Sequence, residues 1–133
     1  MKRLWSFIEM ALIVLLERRF AKKFLKTTYH VDLTVQIYVS KRILKAGTLG
    51  MFVMENGTEP AYIAIDETLA TFKRRAIFRT VLIHELVHYA LFVQRLPYED
   101  GTPLFQQEVV KHGSLPTGGI VYEDGEFSML KSS

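Results

Sequence analysis

Residues 84–88 read His-Glu-Leu-Val-His. This is the H-E-x-x-H pattern of zinc metalloproteases. On an α-helix, residues four apart lie one turn apart on one face. His84 and His88 can then both reach one tetrahedral Zn²⁺ as neutral imidazoles. Glu85 follows directly, placed to take a proton from a water that the metal activates and to pass it to a leaving amine. The chemistry expected of such a set is hydrolysis of a peptide bond.

The element that must position these groups is legible around them. Residues 75–94 contain no Gly or Pro and are strongly apolar, so they read as a long buried helix. Two histidines and a glutamate are costly inside such a helix unless something satisfies them. A metal supplies that reason; the alternative is a pair of hydrogen-bonded core histidines. A catalytic zinc takes three protein ligands and leaves a fourth position open. Candidates for the third are Glu99, Asp100, Glu108 and His112. Asp100 precedes Gly101 and also suits a turn, while His112 before Gly113 suits a helix C-terminus. Tyr89 and Tyr98 are the tyrosines nearest in sequence for stabilising an oxyanion, although each also reads as a packing residue.

The remaining pattern gives α+β. An apolar first helix over roughly residues 4–25 is followed by an alternating strand at 33–39. Strands at 51–54 and 61–65 flank Asn56-Gly57, a hairpin signal. The expected sheet is small and antiparallel, of about three strands, and residues 61–65 are a candidate for pairing with an extended substrate. A Pro- and Gly-containing loop follows the motif helix. A short helix over 104–112 comes next, and then a largely irregular tail over 114–133, in which residues 119–122 suit a small strand. The chain reads as one domain with its core over about 4–113.

Composition narrows the classes. There is no cysteine, which excludes disulfides, a Cys-rich zinc ribbon and thiol catalysis, and fits a reducing, cytoplasmic setting. Charge is uneven: ten basic and three acidic residues up to Lys45 give +7, and seven basic and eleven acidic from Ala46 onward give −4. Arg18, Arg19, Lys22, Lys23 and Lys26 recur at three- and four-residue steps and form a basic helix face, which Lys41, Arg42 and Lys45 could extend. Such a face is either solvated surface or a footprint for nucleic-acid phosphates. Lys2-Arg3 before an apolar run resemble a signal peptide or membrane-surface anchor. Glu9 interrupts the run and it is too short for a membrane span, so a buried or amphipathic helix is the expectation.

Together, residues 41–50 (Lys-Arg-Ile-Leu-Lys-Ala-Gly-Thr-Leu-Gly), Ile63-Ala64-Ile65-Asp66 and 80–88 (Thr-Val-Leu-Ile-His-Glu-Leu-Val-His) resemble the SprT-like metalloprotease domain. The DNA–protein crosslink protease Spartan belongs to that family. The resemblance spans roughly residues 20–113. It implies a zinc peptidase with one Zn²⁺, acting on protein, including protein associated with DNA. The family closes its site with an Asp-Gly-His-Gly-like run and a later Phe, for which this chain has Asp100-Gly101-Thr102-Pro103-Leu104-Phe105. The usual third-ligand histidine is missing there, so the resemblance implies Asp100 as the third ligand and Phe105 as the anchor of the returning loop. The family's frequent zinc ribbon has no counterpart here. A catalytically weak or inactive metal-binding module that recruits partners or nucleic acid through its basic N-terminal face is the alternative reading.

Overall fold

The computed structural model describes residues 2–116 and 119–129. Its elements are α1 (Lys2–Tyr29), β1 (Gln36–Val39), β2 (Gly50–Glu55), β3 (Glu59–Ile65), α2 (Arg75–Val93), α3 (Pro103–Lys111), β4 (Ile120–Glu123) and β5 (Glu126–Met129). A short 3₁₀ turn at Glu67–Leu69 joins β3 to the approach to α2. The class is α+β.

The sheet differs from the expectation in direction and order. β2 and β3 form the antiparallel hairpin that Asn56-Gly57 encodes; both turn residues take positive φ, 53° and 69°. β1, however, lies parallel to β3 and on its other side, giving the order β1-β3-β2. Alternation marks residues as a strand but carries no information on the neighbour. Residues 40–49 are long enough to carry the chain across to the far edge. β3 is therefore central, which its fully buried Ile63, Ala64 and Ile65 reflect. This removes residues 61–65 as a substrate-pairing strand, because both edges of β3 are already hydrogen-bonded. The edge strands of this sheet are β1 and β2, and β2 is the one that lies beside His84 and Glu85.

Helix α2 is the spine. Phe78, Leu82, Leu86, Tyr89 and Ala90 pack with Ala21 and Leu25 of α1 and with Ile63 and Ile65 of β3. Ile83, Val87 and Leu91 pack with Phe105 and Val109 of α3. Among the described residues, only α2 has the length and hydropathy of a membrane span, and 67% of that stretch is buried inside the molecule. The buried Glu17 carboxylate ties α1 to α2 by accepting from Arg75 (2.8 Å) and from Arg79, whose guanidinium also lies over the Phe20 ring.

Helix α1 runs longer than the expected 4–25, from Lys2 to Tyr29. Its first buried residue is Ile13, so of the two expectations, buried or amphipathic, the buried one does not hold for its N-terminal half. The segment read as an irregular tail also contains more order. Residues 120–129 form the β4–β5 hairpin, whose Ile120 and Phe127 pack on the main core. Residues 130–133 of that expected irregular tail lie outside the described residues.

Candidate metal centre

His84 and His88 sit one turn apart on α2, as their spacing requires. His84 Nδ1 donates to the Leu115 carbonyl at 2.7 Å, and His88 Nδ1 donates to the Tyr98 carbonyl. A carbonyl oxygen only accepts, so each Nδ1 carries the hydrogen, and in the neutral form each ring offers Nε2 as a lone pair. Both Nε2 atoms face one oxygen: Asp100 Oδ1 lies 3.2 Å from His84 and 3.1 Å from His88. Three acceptors thus converge. A single proton satisfies one of these contacts and leaves the other repulsive. Burial also holds the His88 pKa below its ordinary value, against the raising effects of the Tyr98 carbonyl and Asp100.

A cation resolves the conflict. Ligands 2.0–2.1 Å from a tetrahedral ion stand about 3.3 Å apart, close to the observed separations. The donor set of two imidazoles and a carboxylate suits zinc chemically. The His84, Glu85 and His88 ligand atoms also lie within 4.8 Å of one another, so this cluster can hold a metal ion. The carbonyl partners of the two imidazoles are the orienting interactions that metal-bound histidines generally have.

Phe105 fixes the rings from below. It is buried, stacks on His88 with centroids 3.9 Å apart and meets His84 edge-on at 5.0 Å. It is held in the core directly after the loop whose anchor the resemblance expected it to be. Gly101 has φ +84°, so Asp100 both precedes a tight turn and faces the imidazoles. The two expectations for Asp100 are compatible.

The other candidate ligands lie elsewhere or do not converge. Glu108 accepts from the Tyr29 hydroxyl at 2.9 Å, on the side of α3 that faces α1. His112 caps α3, packs against Phe24 and Tyr29, and stands 3.7 Å from Glu108. Glu99 lines the cleft beside Asp100.

Glu85 is almost fully buried, and its pKa is pushed up to about 8, first by burial and then by the negative charge of Asp100. Its carboxylate lies against the bare backbone of Gly50, the first residue of β2. A Cβ there would fall 3.0 Å from Glu85 Oε2 and 2.6 Å from Val81 Cγ1. Gly50 is thus a close-approach glycine that its place at the mouth of a strand could have flagged. The carbonyls of Tyr98 and Leu115 have no sequence signal, because any residue supplies a carbonyl.

The site opens into a cleft between β2 and α2. One lobe, about 590 Å³, runs past Met51, Met54, Tyr98 and Asp100. The other, about 220 Å³, runs toward Leu115, Pro116 and Ile120. Thr48, Gly50, His84 and Glu85 line both. Tyr98 borders the cleft and rests edge-on against Phe92. Tyr89 is buried, and its hydroxyl binds Thr34 and the Asp32 carbonyl, so it holds the approach to β1 and does not face the site.

The basic stripe of α1 is only partly available. Arg18 donates to the Val35 carbonyl, and Lys26 pairs with Asp32 at 3.0 Å. Arg19, Lys22 and Lys23 are exposed.

No family model, curated protein or solved structure matches this chain. The reading of the site rests on its own chemistry.

Proposed function

We propose that this protein is a zinc-dependent peptidase. The observation that carries the proposal is the convergence of His84 Nε2, His88 Nε2 and Asp100 Oδ1 beside a buried glutamate in an open cleft. His84, His88 and Asp100 would hold the ion. Bound zinc would supply Lewis acidity, which polarises a scissile carbonyl and acidifies water.

The chain's own residues supply the rest. The Leu115 and Tyr98 carbonyls and the Phe105 ring keep both imidazoles in the ligating tautomer and orientation. Glu85 takes a proton from the attacking water and returns it to the leaving amine. A pKa near 8 in the absence of cationic charge keeps it protonated at neutral pH; positive charge among its neighbours favours the carboxylate. The free edge of β2 can pair with an extended peptide and lay it across the cleft.

A second reading, a metal-binding module without hydrolysis, draws on the same burial of Glu85, which favours the protonated carboxyl. One experiment separates the two. Zinc-loaded wild type should cleave a denatured protein substrate. Glu85→Gln should keep its zinc and lose at least about a hundredfold in rate, the usual scale for a general base. Zinc-loaded wild type that cleaves nothing favours the module, and an unimpaired Gln variant removes Glu85 from the chemistry.

A further inference from the structure

We infer that α1 is a docking element for an anionic lipid surface. The inference is independent of the peptidase reading. From Arg3 to Ile8 every residue of α1 is exposed, over about 9 Å of helix. Its exposed side chains are large and apolar: Leu4 is 63% exposed, Trp5 58% and Phe7 65%. Such an exposed apolar surface marks an interaction site.

The pattern along the helix says with what. Leu4, Ile8, Ala11 and Leu15 follow one another at four- and three-residue steps, and all are exposed. The same stripe continues as Arg19, Lys22 and Lys26, the last of them paired with Asp32 at its far end. Lys23 lies beside it, and Arg3 flanks its start. One exposed face of one helix is therefore apolar in its first half and basic in its second. The only acidic residues of α1 are withdrawn: Glu17 is buried against Arg75 and Arg79, and Glu9 accepts from the Phe72 amide. Phe72 is itself exposed and adds to the apolar half.

A bilayer with anionic headgroups complements both halves at once. The apolar half enters the headgroup–acyl boundary, with Trp5 at the depth where indoles concentrate. The basic half lies along the phosphates, its long stems reaching outward to them. A second copy fits less well. Parallel pairing along this stripe brings two basic halves together, and antiparallel pairing in full register sets an apolar half against a basic one.

Trp5 is the sole tryptophan of the chain and reports directly. The full chain is mixed with vesicles of phosphatidylcholine alone or of an equimolar phosphatidylcholine–phosphatidylglycerol mixture. Co-sedimentation should be at least about tenfold stronger with the anionic vesicles. Trp5 emission should shift to the blue and resist an aqueous quencher. Leu4→Ser with Phe7→Ser should weaken partition by at least about tenfold. Reversal of Arg19, Lys22 and Lys23 to Glu should abolish the preference for anionic lipid. All these positions are exposed, and circular dichroism verifies that the variants fold. Equal binding to both vesicle types overturns the proposal. So does a dimeric mass with a buried Trp5 that ignores vesicles, which assigns the face to a second copy. Low-salt binding to duplex DNA without partition into either vesicle overturns it too and assigns the basic half to nucleic acid.

Discussion

At the scale of single residues, Asp100 is the most informative position. It supplies the one oxygen that both imidazoles face. Asp100→Ala should weaken zinc binding by more than the about 10–100-fold typical of an outer-shell partner, with the fold intact by circular dichroism. Asp100→His should restore it, since imidazole is an equally good ligand. Unchanged affinity in the Ala variant, measured by competition with a chromogenic chelator, would reduce Asp100 to a turn residue. Glu85 gives a pH signature in the chelated protein. Its folded pKa, about 8, stands above the ordinary glutamate value of 4.5. The folded state therefore holds the proton more tightly, and this contribution to stability is complete below about 4.5 and lost as pH rises to about 8. Glu85→Gln does not titrate. Urea titrations with chelator present should show wild type losing stability relative to the Gln variant across that window. The opposing shift at His88 is common to both proteins and cancels to first order, so a pH-independent difference would contradict the burial of Glu85.

At the scale of elements, Gly50 shows how closely β2 and α2 must approach. Gly50→Ala places a methyl group 2.6 Å from Val81 Cγ1, inside any allowed contact. The strand or the helix must give way, at a cost of about 1–3 kcal/mol for overpacking, and the Glu85 carboxylate moves with it. The expected outcome is a lowered Tm and a loss of catalysis larger than the loss of bound zinc. What the sequence makes legible follows from which interactions are local. The apolar period around His84 places α2 within a residue of its observed end, and Asn56-Gly57 announces the hairpin. The parallel pairing of β1 with β3 is non-local and leaves no mark on residues 33–39. The convergence of Asp100 required the loop after α2 to fold back, which became predictable only through the resemblance of residues 100–105 to a known closing run. The exposure of Leu4, Trp5 and Phe7 contradicts their hydropathy, because composition cannot say whether a partner face exists.

At the scale of the whole molecule, the candidate metal centre would be a clasp as well as a site. Its components come from α2, from the loop that carries Tyr98 and Asp100, and from the segment at Leu115. That last segment is further tied to α2 by Ser114, whose buried hydroxyl donates to the Thr80 carbonyl at 2.7 Å. An ion held by His84, His88 and Asp100 therefore closes the loop over the helix. Binding to the folded state alone stabilises it by about 2.7 kcal/mol at a hundredfold excess over Kd, which is on the order of 10 °C in Tm for a domain of this size. Chelation should lower Tm by that order, and zinc should restore it. The loop should respond before the core does. Its ties to α2 include the His88–Tyr98 hydrogen bond, the edge-on packing of Tyr98 on Phe92 and the approach of Asp100 to the two imidazoles, and Asp100 is more than half exposed. Limited proteolysis with trypsin should thus cut after Arg95 in the chelated protein well below its Tm, and zinc should protect the site. His84→Ala with His88→Ala should be cut at one rate with or without zinc. Equal cleavage of wild type under both conditions would mean that the loop is held by packing alone and that the ion, where bound, stabilises nothing beyond its own ligands.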